Sequence, residues 1–301
     1  MVQDYFSLVG AIPSLDKWLG KNPIKPIGAP GFHAMMGRII RHLGDRYEGK
    51  DRIYHDSKEP DFLDHFIEAK KADPGEVDDA QIVSWLMINV LAGADTTALT
   101  LKTAFYYCLR DERIWQRLRE ELLAAGAQEG TPVPYEVANS APYLEAVVRE
   151  ALRILPGISM SLERYVPKEG HRLSDGSFLP GGSTIGVNPY LIARNKGIYG
   201  EDVEEFRPER WLLDEAAGET RERFEARLAA MNSVDLTFGG GRRMCIGKNL
   251  GLLQVCKVLA TLVTSYEMEL IDPEGKWKVI NSWFPRQEGG LDVRITRRPS
   301  P

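Results

Sequence analysis

Residues 78–109 form a run too long and too apolar to be an ordinary surface helix. The acidic pair Asp78-Asp79 opens it, where carboxylates complement the positive end of a helix dipole. Asp95, Lys102 and several threonines interrupt the run, which argues against a membrane span and for a helix buried in a large core.

The remaining periodicities agree with a helical chain. Helices are predicted over 1–22, 33–49, 61–71, 111–125, 143–155 and 246–266, with one short helix over 189–195. Asp175-Gly176 marks a hairpin, 212–236 reads as charged, irregular coil, and 267–298 as short strands and turns. The expected class is mainly α with a small β component. At 301 residues the chain suits one large domain or two modest ones.

Composition narrows the function classes. A net charge of -5 argues against nucleic acid as a partner. Three cysteines without a C-x-x-C pair give neither a disulfide framework nor a zinc knuckle. Five scattered histidines contain no H-E-x-x-H pair. Met1-Val-Gln-Asp-Tyr-Phe is neither a charged leader nor an apolar anchor, and the chain reads as intracellular.

The chemistry concentrates in Phe238-Gly-Gly-Gly-Arg-Arg-Met-Cys-Ile-Gly247, directly ahead of an apolar helical pattern. The free amides and dipole of that helix start favour a thiolate at Cys245, and Arg242, Arg243 and Lys248 add positive charge. Glycines let a flat ligand lie against the backbone, and Phe238 is placed to cover one side of the sulfur. A phosphate loop is excluded because Gly241 and Gly247 are spaced wrongly for one and Asn249 replaces the required hydroxyl residue. No Gly-x-Ser-x-Gly is completed around Ser159 or Ser183. On residue types alone two readings stay open for Cys245, a core cysteine like Cys108 and Cys256, or a soft ligand to iron.

Three further motifs precede this loop. Ala92-Gly-Ala-Asp95-Thr96-Thr97 places small residues, a carboxylate and hydroxyls in mid-helix. Glu150-Ala-Leu-Arg153 puts opposite charges on one helical face, which alone reads as a surface pair. Phe206-Arg-Pro-Glu-Arg-Trp211 reads as a turn.

With Phe238, Gly241, Arg243, Cys245 and Gly247 in register, the loop resembles the haem-binding segment of the cytochrome P450 monooxygenases, and the other motifs occur in that family's order. The resemblance implies haem b held by Cys245 as thiolate, with Phe238 and Gly247 beside it. It implies an acid–alcohol pair, Asp95 and Thr96, that delivers protons during oxygen activation. A Glu150–Arg153–Arg210 triad would lock the cysteine loop to the Glu150 helix, and Arg243 and Arg164 would bind the haem propionates. Electrons would come from NADPH through a separate reductase, docked on Arg242, Lys248 and Lys257.

The implied fold is one N-terminally truncated cytochrome P450 domain over 1–301. Its oxygen-activating helix is expected at about 78–109, the Glu150 helix at about 143–155, and the cysteine loop at 238–247 before a helix to about 266. Much of one haem wall would be absent, leaving the long helix facing water and a large apolar patch exposed. Trp115-x-x-x-Arg119 matches a family haem motif in letters but stands in the wrong order. Tyr5-Phe-Ser-Leu-Val-Gly-Ala-Ile-Pro and Pro60-Asp-Phe-Leu-Asp-His-Phe resemble fungal members of the pisatin demethylase and benzoate hydroxylase type. The implied activity is oxidation of a small lipophilic substrate in secondary metabolism or xenobiotic breakdown, at the endoplasmic reticulum. The alternatives are a fragment that holds no haem and a peroxide-rearranging member. Asp95 and Thr96 speak against the second.

Overall fold

The computed structural model describes residues 32–289 and 291–298, with residues 12 and 15. The helix expected over 1–22 therefore lies almost wholly outside the described residues. The chain divides into two compact units, residues 1–95 and 96–301.

In the first unit α1 (His33–Glu48) ends at Gly49, whose left-handed φ of 68° turns its N–H back to the carbonyl of Arg46. After a 3-10 turn at Lys50–Ile53, α2 (Phe62–Ala72) starts in a reciprocal cap. Asp61 accepts from the Asp64 amide at 3.1 Å, and Asp64 accepts from the Asp61 amide at 3.0 Å. Leu43, Leu63 and Ile82 form the unit's small apolar cluster. Arg46 donates to Asp51, to Asp61 at 2.8 Å and to Asp64 at 2.6 Å. Those bonds hold the Asp61 carboxyl at about 2.

The long helix α3 (Asp79–Arg110) passes through the division between the units. Its second part is buried as expected, with Leu99, Ala104, Phe105 and Cys108 in apolar clusters. Its first part is not. Ile88 is 59% exposed, and Val90 and Leu91 are exposed too. Among the described residues, the unit's apolar cluster reaches Leu86 but not these side chains. By length and composition α3 is long and apolar enough to cross a membrane, and most of its apolar window is exposed.

The second unit is built on three helices around the end of α3. α4 (Glu112–Ala124) presents Ile114, Trp115, Leu118 and Leu122 as one stripe. After the short α5 (Tyr135–Asn139), α6 (Pro142–Ile154) buries nearly every side chain from Tyr143 onward. The Glu121 carboxylate of α4 accepts the free amides of Tyr143 and Leu144 at its start. Leu118, Leu122 and Leu144 are completely buried, each contributing about 2 kcal/mol of hydrophobic transfer.

Next come β1 (Leu162–Tyr165), the hairpin β2 (His171–Arg172) and β3 (Phe178–Leu179), and β4 (Thr184–Val187). The helix expected over 189–195 is shorter, α7 (Pro189–Ile192), and a second, α8 (Lys196–Tyr199), follows beyond that range; Asn188 and Asn195 cap the two starts. The coil expected over 212–236 contains α9 (Arg221–Val234), capped by Thr220. It buries fully only Met231, so no apolar stripe announced it. α10 (Lys248–Ser265) completes the core with Val255, Leu259 and Val263. It leads into β5 (Tyr266–Leu270), β6 (Lys278–Ile280), β7 (Arg286–Glu288) and β8 (Val293–Arg297). Strands pair antiparallel as β1–β4, β2–β3, β5–β8 and β6–β7.

Candidate haem-thiolate site

The loop 238–247 is shaped by its own backbone. The Cys245 amide donates to the Phe238 carbonyl at 2.8 Å, closing the loop, and Gly239 and Gly241 take left-handed φ values of 71° and 60°. A side chain at either glycine would be strained. Gly247 caps α10, and a Cβ there would lie 3.8 Å from the Cys245 sulfur, so the thiol sits beside the helix start. Lys248 stands over the Phe238 ring at 5.7 Å.

Cys245 is exposed, whereas Cys108 is buried and Cys256 half-buried. Burial pushes the Cys108 thiol far up and the Cys256 thiol to about 11, so both remain thiols. The apolar neighbours of Cys245 are uncovered, Met244 at 55% and Ile246 completely. Arg243, Arg242 and Lys248 make no ion pair among the described residues. A soft donor on an apolar, cation-flanked surface with close backbone access fits a planar anionic group carrying iron, as haem is.

Arg164 lies exposed on β1, where it faces Ile185 of β4 in register and donates to the Glu163 carbonyl at 2.7 Å. Trp115 is buried in the α4 core and Arg119 pairs with Glu129, so the structure gives those letters ordinary structural work.

On α3, Asp95 is exposed and Thr96 half-buried. The Thr100 hydroxyl donates to the Thr96 carbonyl at 3.1 Å and the Thr103 hydroxyl to the Leu99 carbonyl at 2.8 Å, so the helix carries side-chain bonds along this stretch. Gly157, just after α6, packs on Thr96. A Cβ at Gly157 would stand 3.2 Å from the Thr96 Cβ and 3.3 Å from its methyl carbon. This approach carries no local signal, since Pro156-Gly157 reads only as a helix stop.

Glu150, Arg153 and Arg210 meet in the buried interior, with Glu150 fully buried. One Glu150 oxygen accepts from Arg153 at 2.8 Å, the Arg207 amide at 3.0 Å and Arg210 at 3.2 Å. The other accepts from Arg153 and the Trp211 indole, both at 2.9 Å. Arg153 also donates to the carbonyls of Ala193, Val203 and Glu205. Arg210 reaches Asp202 at 2.8 Å and the Tyr199 carbonyl. Burial pushes the Asp202 carboxyl up, but its bonds to Arg210 and Arg207 outweigh this and hold it at about 2. Burial likewise lowers Arg210, and Glu150 and Asp202 more than reverse it.

These bonds tie α6 to residues 193–211 rather than to the cysteine loop itself, as the resemblance implied. The link to the loop runs through α9, whose Arg227 donates to the carbonyls of Arg210 and Leu212. Asp202 and the Trp211 indole were missed as partners because neither carries a local signal.

Residues 28–293 match the cytochrome P450 family. The chain belongs to that family. It is 49% identical over 297 residues to the cytochrome P450 monooxygenase cfoH of Aspergillus candidus, covering 99% of this chain and 54% of that protein. It is 37% identical to the cytochrome P450 monooxygenase vrtE of Penicillium aethiopicum, covering 98% and 57%. To the cytochrome P450 monooxygenase mpaDE of Penicillium roqueforti it is 34% identical, covering 97% and 33%. The chain thus spans about half the length of the first two relatives and a third of the last.

Proposed function

We propose that this chain carries the haem-thiolate centre of a monooxygenase that oxidises a small lipophilic substrate. The observation that carries it is the exposed Cys245 in a loop closed by its own amide, beside the first turn of α10. Haem, when bound, supplies the redox centre at which dioxygen is activated. Cys245 would hold the iron as thiolate, with Phe238 and Gly247 beside the sulfur. Arg243 would engage a propionate from the loop and Arg164 a second from β1.

Asp95, exposed to water, would take up protons, and the Thr96 hydroxyl would pass them toward the reacting oxygen. Gly157 holds the Thr96 side chain from behind. Glu150, Arg153 and Arg210 would act in haem retention by fixing the frame to which α9 and the cysteine loop attach. Electrons would arrive from NADPH through a separate reductase, which an acidic face would dock on Arg242, Lys248 and Lys257. The fungal sources of the relatives and the segments around Tyr5 and Pro60 support a place in secondary metabolism or xenobiotic breakdown, and the endoplasmic reticulum is the location the family implies.

The uncovered Ile88, Val90 and Leu91 favour a second reading, a chain that keeps these residues without retaining haem by itself. The two separate in a reduced, carbon monoxide-bound difference spectrum of the chain supplied with haem. The first reading expects a strongly red-shifted Soret band that Cys245→Ser abolishes. Absence of haem uptake, or a band of neutral or histidine ligation, supports the second.

A further inference from the structure

A cavity of about 410 Å³ lies at the C-terminal end of α3, against Lys276, Trp277 and, in β6, Val279. Its volume falls in the range of small-molecule sites, roughly 300–1,000 Å³. Neither Asp95, Thr96 nor Cys245 lines it, and Tyr106 in its wall stands about 15 Å along α3 from Thr96.

The wall is aromatic and already ordered. Tyr106 and Trp277 stack with ring centres 3.9 Å apart and 11° between planes. Tyr107 meets Trp277 edge-on at 6.3 Å and is itself stacked on Phe206 at 4.7 Å. Rings fixed by their neighbours cost little further entropy when a planar ligand arrives. Burial raises the Tyr107 hydroxyl above its ordinary value, so it remains a proton donor at neutral pH.

The free charge at this cavity is positive. Arg194 is spent on the protein, donating to Glu204 at 3.2 Å, the Tyr190 carbonyl at 3.2 Å and the Ile154 carbonyl at 2.9 Å. That pairing also occupies Glu204, the one acid in the lining. Arg110 uses a single nitrogen, to the Gly275 carbonyl at 2.8 Å, with its guanidinium 5.2 Å from the Tyr106 ring centre. Lys276 has no ion pair among the described residues. A cationic ligand would meet two like charges here, and a neutral one would leave both unanswered.

We propose that this cavity is an accessory binding site for a planar aromatic anion, such as a two-ring aryl carboxylate, with the ring against Trp277 and Tyr107 and the carboxylate between Arg110 and Lys276. The inference rests on the cavity alone and is independent of haem binding.

The probe is 2-naphthoate, titrated into the full chain and followed by tryptophan fluorescence and calorimetry, beside the neutral 2-naphthalenemethanol. Charge-assisted contacts predict that naphthoate binds about tenfold more tightly than the alcohol, and that Arg110→Gln with Lys276→Gln removes this difference. Both side chains are exposed, so the double variant keeps the core intact. Trp277→Leu should weaken both ligands. Equal affinity of naphthoate and the alcohol overturns the proposal, as does binding insensitive to the double variant or no binding at all.

Discussion

The Glu150 network and the Cys245 loop are both dense in functional residues, yet they are opposite in kind. Around Glu150 the chain supplies every partner: a fully buried carboxylate receives five donors, and the two guanidinium groups are bonded onward to carbonyls and Asp202. Around Cys245 the chain supplies the backbone shape and leaves the side chains uncovered, with Met244 and Ile246 in water and Arg243 unpaired among the described residues. A brace is complete when its own polypeptide satisfies it. A ligand site is complete only with its ligand. The contrast explains why a substitution in the first region should act on stability and one in the second on binding.

The largest effect is expected at Glu150. Glu150→Ala strands two buried guanidinium groups and should destabilise the second unit by about 3–5 kcal/mol, read from urea unfolding. A loss comparable to an ordinary surface substitution would contradict the reading of this network as a self-satisfied brace. Glu150→Ala in an Arg210→Met background should cost clearly less, because one of the stranded charges is gone.

Acid sharpens the same point. A carboxylate held low in the folded protein stabilises it above the unfolded value and loses that contribution as pH falls. Asp202 sits at about 2 when folded, against roughly 4 unfolded. Stability of the second unit should therefore decline between about pH 4 and pH 2, and Asp202→Asn should flatten that part of the curve. Asp61 is held equally low in the first unit, but its side chain is 48% exposed, so solvent screening should make its share smaller.

An intermediate effect is expected where the chain fits tightly against α3. Gly157→Ala places a methyl 3.2 Å from the Thr96 Cβ and should cost on the order of 1 kcal/mol. Thr96→Ser removes the methyl carbon at 3.3 Å and should recover part of it. Full additivity of the two changes would show that they do not touch.

The smallest effect on stability belongs to the most important residue. Cys245 is exposed, so Cys245→Ser should change unfolding by less than about 0.5 kcal/mol. Cys108→Ser, buried in the α4–α6 core, should cost more and do nothing specific to haem.

Much of this was legible where chemistry is local. The glycines and cysteine of 238–247, the acidic start of α3 and the hairpin at Asp175-Gly176 announce themselves through neighbours in sequence. Burial is set by distant partners, and there the sequence misled. Glu150 and Arg153 look like a surface pair until residues 193–211 close over them. Ile88, Val90 and Leu91 are apolar in sequence yet exposed among the described residues, the outcome the resemblance implied for the long helix. α9 has no apolar stripe, and Asp202 and Gly157 gain their meaning only from Arg210 and Thr96.

The most direct test of the account is the alkylation rate of each cysteine, mapped by mass spectrometry with and without haem. Cys245 should react first, Cys256 slowly and Cys108 only on unfolding, and haem should protect Cys245 selectively. A haem-loaded chain whose Cys245 alkylates as fast as in the free protein would contradict the assignment of that sulfur to the iron.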